Sequence, residues 1–395
     1  MLEILLLALI VSWIYWLVAW WWVCDFFGRG SSQDSTYTPA VSILKPVKGI
    51  DPEAFENFVS FCEQDYPQFE ILFGVSDRSD PVIPVVERLQ GELPHRSIRL
   101  VVDRATRMNR KASLLDSLAK QARHGTFVVS DSDMRVTPEY LRHVVAPLKE
   151  REVGLVTCPY RGEAPRTLAA RLEALHTSVG YMPSVIVARR FLGMRFALGA
   201  TMALRSCDLA RLGGFSAIAD YLADDYQLGL LIATMGLRVH LSDYVVSNVL
   251  GATSFKDQWD REVRWARTIS VSRPWQYPGL LFTFSTPLAV AVLLMDGFGI
   301  MGWCLLAASL LLRWRVAWCI ADRLGNRPVR KWLVWLPVRD MMSALIWCTG
   351  GFGRVVTWRG EKFTLRSDGK LEPLPRVCSC IHVTGAPERP KTEAG

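Results

Sequence analysis

Two aspartates one residue apart close a short apolar run: Val128-Val129-Ser130-Asp131-Ser132-Asp133. Alternate residues at a strand end can point into one site, and Asp131 and Asp133 are hard oxygen ligands suited to Mg²⁺ or Mn²⁺. A cation held there would bridge diphosphate oxygens and stabilise a leaving group. The alternative is a solvated acidic turn, because Asp and Ser are common turn formers. Asp77 follows a second apolar run, Ile71-Leu72-Phe73-Gly74-Val75, where a carboxylate would hold a ribose hydroxyl or a base. Its neighbour Asp80 is an equally good turn former.

Asp224 and Asp225 open a predicted helix over Asp224–Met235. Carboxylates in a first helical turn are favoured by the macrodipole, so one serves as a cap. The same field keeps a second one ionised at neutral pH, as a general base requires. Arg261, Arg264 and Trp265 fall at i, i+3 and i+4 of a predicted helix over Gln258–Ile269 and share one face. Two guanidiniums suit diphosphate oxygens, and the indole can pack on a sugar or a lipid. The competing reading is an interfacial helix whose arginines snorkel. Lys111 starts a predicted helix over Lys111–Gln121; it is a candidate phosphate ligand or a plain surface residue.

These residues need a frame. Strands are predicted at Val41–Leu44, Ile71–Val75, Ile98–Val102 and Thr126–Ser130, with helices at Asp51–Cys62, Val82–Leu89 and Lys111–Gln121 between them. Such alternation predicts an α/β domain with a mostly parallel sheet covered on both faces. Ligands of such sheets bind beyond the carboxyl ends of the strands, where Asp77 and the Asp131/Asp133 pair fall.

The rest of the chain points to a membrane. Half of the 395 residues are hydrophobic and fifteen are Trp, a residue that favours the membrane interface. Ile4–Cys24 carries no charge and spans roughly 30 Å as a helix, the thickness of a bilayer core. It lacks the basic start and the cleavage site of a signal peptide. Arg29, Lys45 and Lys48 follow it, which places the N-terminus outside and the next domain in the cytoplasm. Between Gly279 and Leu312 the only charge is Asp296, a pattern that fits two spans turning near Asp296–Gly297. The basic stretch Arg313–Lys331 is expected as a cytoplasmic loop. Trp332–Trp347 reads as a third span with an internal Arg339/Asp340 ion pair, or as an interfacial or re-entrant helix. The expected organisation is an anchor (1–28), a catalytic domain (38–278), C-terminal membrane segments (279–358) and a polar tail (359–395). Arg166–Leu192 is basic and apolar, fits a membrane surface or a packed helix, and leaves His176 without a role.

A net charge of +8 favours an anionic partner. Nucleic acid fits least, because the basic residues are dispersed through an apolar chain. The nine cysteines are scattered without a CxxC pair, as expected of reduced thiols in a cytosol-facing protein. Cys378, Cys380 and His382 lack a fourth metal ligand and read as tail.

Taken in order, the Asp77 turn, Asp131-Ser132-Asp133, Ala223-Asp224-Asp225-Tyr226 and Arg261-x-x-Arg264-Trp265 resemble the D, D, D, (Q/R)xxRW pattern of glycosyltransferase family 21. The resemblance covers about Pro39–Pro278 and the flanking membrane segments. It implies a GT-A fold and an inverting transfer from a UDP-sugar to a lipid hydroxyl at the inner membrane. Asp77 would hold the nucleoside, Asp131 and Asp133 the metal and diphosphate, and Asp225 would be the base. Arg264, with Arg261, would stabilise the diphosphate, and Trp265 would shape the acceptor site. Val156-Thr157-Cys158-Pro159-Tyr160-Arg161-Gly162, Gly199-Ala200-Thr201-Met202 and Arg264-Trp265-Ala266-Arg267-Thr268 look closer to the bacterial hopanoid branch than to animal ceramide enzymes. So does Asp-Ser-Asp, where animal enzymes resemble Asp-Ser-Gly. That branch implies N-acetylglucosamine transfer to bacteriohopanetetrol; the alternatives are ceramide glucosylation and a processive polysaccharide synthase.

Overall fold

The computed structural model describes residues 1–30, 36–104, 107–358 and 361–374. Helix α1 (Leu2–Gly28) buries Leu9, Ser12, Trp16, Ala19 and Val23 along one stripe, while Ile4, Leu7, Ile10, Ile14 and Leu17 stay exposed. At about 40 Å long, a helix with this much outward apolar surface suits lipid.

The α/β domain begins with the expected alternation: β1 (Val41–Pro46), α2 (Ala54–Cys62), β2 (Phe69–Val75), α3 (Ile83–Glu92), β3 (Ile98–Val102), α4 (Arg110–Gln121) and β4 (Thr126–Val129). It continues through β5 (Met134–Arg135), α5 (Tyr140–Val145), β6 (Val153–Thr157), β7 (Tyr160–Glu163), α6 (Leu168–His176), α7 (Met182–Leu192) and β8 (Met202–Arg205). It ends with α8 (Ser206–Arg211), α9 (Asp224–Thr234), β9 (Arg238–Leu241), β10 (Val246–Val249) and α10 (Phe255–Ser272). The main sheet runs β3-β2-β1-β4-β8-β6-β9. Its first four strands are parallel, and β8 lies antiparallel to both β4 and β6. The half beyond β4 was not predicted. Strands β6 and β8 are buried on both faces, so they show no alternation that distinguishes them from helix.

Two local features aim the site. Asn109 caps α4, accepting a hydrogen bond from the Ala112 N–H, and also donates to the Tyr221 carbonyl in the loop before α9. Gly229 lets α9 touch the backbone of Phe196 and Ala197, where a Cβ would come within 2.5 Å. That contact draws the start of α9 against Gly199.

The C-terminal part corrects several expectations. The turn does fall at Asp296–Gly299, between α11 (Ser285–Met295) and α12 (Ile300–Arg323). However, α11 has only 11 residues, about 16 Å and too short to span alone. It meets the preceding helical turn, Tyr277–Thr283, at 74°. By length and composition α1 and α12 can each cross a membrane, and the bent pair makes at most a third candidate. Arg313 and Arg315 belong to α12, not to the loop, and Arg313 is buried against Asp340 and the Trp16 ring. Arg339 and Asp340, in α13 (Leu336–Gly351), do not pair with each other: Arg339 binds Glu262 of α10 and Asp340 binds Arg313 of α12. The segment read as polar tail from 359 contributes strands. β12 (Glu361–Leu365) pairs with β11 (Val355–Trp358) and β13 (Leu371–Pro373), and the sheet buries Phe363 and Leu371. Cys378, Cys380 and His382 lie outside the described residues.

Candidate active site

Asp131 leaves the end of β4 and meets the first turn of α4. Lys111 Nζ lies 2.6 Å from Asp131 Oδ1 and 3.5 Å from Asp224 Oδ2. Its side chain is only 15% exposed, so Lys111 is not a plain surface residue. Burial alone would lower its affinity for a proton, but Asp131 and Asp224 outweigh burial and hold the ammonium above its ordinary range. Gly199 sits in the same cluster. A Cβ there would come 3.2 Å from Asp131 Oδ2, 3.3 Å from Asp225 Oδ2 and 3.5 Å from Lys111 Nζ. Three carboxylates from β4 and α9 therefore converge on one ammonium.

The two α9 aspartates divide their tasks. Neither is the cap: Ala223 occupies that position. Asp225 accepts from the Gly199 N–H at 2.9 Å and the Tyr226 N–H at 2.7 Å. Burial, then the Asp224 charge, pushes its carboxyl up to about 6, against the pull of Lys111. Among the described residues Asp224 Oδ2 is buried without a hydrogen bond and forms an ion pair with Lys111.

Asp133 accepts a hydrogen bond from Asn248 of β10 at 2.7 Å. Burial, then the Asp131 and Asp51 charges, raises its carboxyl to about 7. Crowded carboxylates of this kind are hard oxygen donors whose repulsion a divalent cation relieves. The described residues contain no ready-made group of three or more His, Cys, Asp or Glu side chains for a metal; substrate oxygens would complete the set.

Asp77 is exposed at the same sheet edge, and its Oδ1 accepts from the Ser79 N–H and Oγ. Those bonds hold its carboxyl below the usual range. The buried turn carboxylate is Asp80, which accepts from the Gly49 and Val82 N–H groups. On α10, capped by Ser254, Arg261 forms an ion pair with buried Glu173 of α6. Arg264 is half-buried one turn on, and Trp265 is 40% exposed.

The profile of glycosyl transferase family 21 matches residues 4–371. This chain belongs to glycosyltransferase family 21. Ceramide glucosyltransferase 1 of Caenorhabditis elegans is 22% identical over 348 residues, which cover 84% of this chain and 73% of the relative. Ceramide glucosyltransferase 3 of the same organism is 24% identical over 369 residues, 88% of this chain and 76% of the relative. Among solved structures, the mannosyltransferase PcManGT of Pyrobaculum calidifontis, in complex with GDP-Man and Mn²⁺, aligns with a TM-score of 0.56. It covers 87% of this chain and 98% of its own at 22% identity, a likeness of fold. The α/β domain of this family 21 glycosyltransferase is thus a GT-A fold joined to apolar helices that associate it with a membrane.

The sequence reading of this glycosyltransferase missed residues that hold the motifs. Lys45, used there only to orient the chain, is fully buried. It donates to the Asp131 carbonyl at 2.8 Å and sits 3.6 Å from the Phe61 ring centroid. Burial lowers its ammonium to about 7 against the pull of Asp131. Ser132 donates to Asp51, fixing the middle of Asp-Ser-Asp. The available signal was a lone lysine ending the apolar run Val41-Ser42-Ile43-Leu44.

Proposed function

We propose that this enzyme transfers one sugar from a UDP-sugar to a lipid hydroxyl, by a single in-line displacement that inverts the anomeric carbon. The observation that carries the reading is the meeting of Asp225 with the Lys111–Asp131 pair at Gly199. A raised, ionisable carboxylate there stands beside a cation suited to diphosphate, the two things a base-assisted displacement needs. Asp225 takes the proton from the acceptor hydroxyl. Lys111 and Arg264 stabilise the departing diphosphate, and Arg261 fixes the helix through Glu173. Asp77 contacts the nucleoside, and Trp265 borders the acceptor. Asp131 and Asp133 would hold Mg²⁺ or Mn²⁺, which when bound neutralises diphosphate charge.

The acceptor we favour is bacteriohopanetetrol with N-acetylglucosamine as the sugar, supported by Asp131-Ser132-Asp133 and Arg264-Trp265-Ala266-Arg267-Thr268. The second reading, ceramide glucosylation, is supported by the names of the relatives. Two or three candidate spans suit a single transfer better than export of a polymer. We place the catalytic domain, about 38–278, on the cytoplasmic side of a multi-pass inner-membrane protein, where nucleotide sugars occur.

The test uses the purified full chain in nanodiscs, offered UDP-N-acetylglucosamine or UDP-glucose with bacteriohopanetetrol or ceramide. Mass spectrometry of the lipids is expected to find one added sugar. Product formation is expected to vanish in EDTA and return with Mg²⁺ or Mn²⁺. Full turnover in chelator would remove the metal from the scheme, and a ladder of masses would replace single transfer with polymerisation.

A further inference from the structure

Beside the carboxylate centre lies a group of polar aromatic tips that the scheme above does not use. Tyr160 starts β7, His176 ends α6, and Tyr181 ends the π-helical turn Thr177–Tyr181 between α6 and α7. The ring centroids of Tyr160 and Tyr181 are 6.2 Å apart, and those of His176 and Tyr181 are 6.4 Å apart and stacked. All three residues are partly exposed. None of their side-chain polar atoms has a hydrogen-bond partner among the described residues, and none is sealed from solvent. Hydroxyl and imidazole groups that meet no protein partner and stay open to solvent are available to a polar ligand that displaces their water.

Their placement says which ligand. Both phenols feel the Asp225 charge, and Tyr160 also feels Asp131 and Glu173. His176 follows Glu173, the partner of Arg261, by three residues on α6, and Leu198, beside the Gly199 that binds Asp225, belongs to the apolar cluster against which Tyr160 and Tyr181 pack. Tyr160 and Tyr181 also pack against the apolar cluster that includes Val179, Met182, Val316 and Ile320 and joins α7 to α12. A ligand here has a polar head at Asp225 and an apolar body toward the membrane helices. The backbone is shaped to hold the imidazole: a Cβ on Gly180 would come 3.0 Å from His176 Nδ1. Single π turns of this kind are frequent at functional sites. Burial, with Arg339 nearby, keeps His176 neutral down to about pH 3. A neutral imidazole both donates and accepts, as a phenol does, and so can pair with a hydroxyl in either direction.

We infer that Tyr160, His176 and Tyr181 form the subsite that reads the acceptor's head, and that this head carries at least one hydroxyl besides the one that reacts. The inference rests on the lipid-acceptor reading. One reacting hydroxyl needs only Asp225; three further polar tips require further polar groups on the same molecule.

The experiment measures acceptor KM and, separately, UDP affinity by calorimetry, using the full chain in nanodiscs. The acceptors are bacteriohopanetetrol and ceramide, which carry additional hydroxyls, and dioleoylglycerol, which carries one. Tyr181→Phe and His176→Leu are each expected to raise the KM for the polyhydroxylated acceptor about 10-fold, the worth of one hydrogen bond. UDP affinity should stay unchanged. His176→Gln, which keeps a donor and an acceptor, should stay within about 3-fold of the unaltered enzyme. The preference over dioleoylglycerol should shrink by the same factor as the KM rises. Tyr160→Phe provides a third reading if either other variant fails to fold. Unchanged acceptor KM in folded variants overturns the subsite, as does a parallel loss of UDP affinity. If the unaltered enzyme glycosylates none of the three lipids, the lipid-acceptor reading falls and the subsite falls with it.

Discussion

Asp225→Asn is expected to cut turnover about 10²–10⁴-fold while leaving UDP affinity nearly intact, the usual effect of losing a general base. The amide keeps the shape, but its single oxygen can accept from only one of the two N–H groups that Asp225 meets, Gly199 at Oδ2 and Tyr226 at Oδ1, and it cannot take the acceptor proton. Because burial and Asp224 raise the folded-state pKa to about 6, ionising Asp225 costs folding stability as pH rises above the ordinary carboxylate range. The neutral amide removes that cost but gives up one backbone hydrogen bond, worth about 1 kcal/mol, so the two effects oppose each other and the thermal midpoint is expected to move by only a few degrees. In the unaltered enzyme kcat/KM should fall as pH drops through about 6, where the base gains its proton; Asp225→Asn should lose that limb. Arg264→Ala should behave differently, lowering donor affinity and turnover together, because it removes a charge-assisted contact to diphosphate. Calorimetric UDP affinity beside single-turnover rates separates these cases. A dead Asp224→Asn with a nearly normal Asp225→Asn would move the base by one residue.

The legible part of this molecule was the part governed by local rules. Strands β1 to β4 and their helices alternate in period and length, so the sheet edge carrying Asp77 and Asp131 could be drawn from the sequence. The aspartates themselves were legible because carboxylates directly after apolar runs are conspicuous. Strands β6 and β8 were not, since double-sided burial erases alternation. Partnership was also hidden. Nothing local tells that Lys111 joins Asp131 across 20 residues, or that Arg261 turns to Glu173 on α6. Lys45 left a trace, a lone charge ending an apolar run, whereas Glu262 lies in the charged stretch Asp260-Arg261-Glu262-Val263-Arg264 and Arg339 stands beside Asp340, so neither announced a buried partner. The capping rule misled at Asp224 and Asp225, because tertiary contacts with Gly199 and Lys111 claimed both side chains.

The buried charges between the motif helix α10 and α13 set the second large effect. Arg339 of α13 donates to Glu262 Oε1 at 3.1 Å and Oε2 at 2.5 Å, and both side chains are at most 3% exposed. Glu262 also accepts from Gln258 at 2.9 Å, so its carboxylate is fully engaged. Arg339→Met would leave that carboxylate buried with no cation. Breaking one side of a buried pair typically costs about 3–5 kcal/mol, far more than the intact pair contributes over a well-packed apolar replacement. Arg339→Met is therefore expected to lower the thermal midpoint sharply, and Glu262→Leu with Arg339→Met to recover most of the loss. Glu262 lies between Arg261 and Arg264 in sequence, so the same pair ties the arginine face of α10 to α13. The double variant should accordingly regain stability while its kcat/KM stays below that of the unaltered enzyme, because nothing polar then fixes the rotation of α10. Thermal unfolding in nanodiscs beside kcat/KM decides the point. If the single variant is as stable as the unaltered enzyme, the pair does not hold these helices together; if the double variant regains full activity as well as stability, shape alone positions α10.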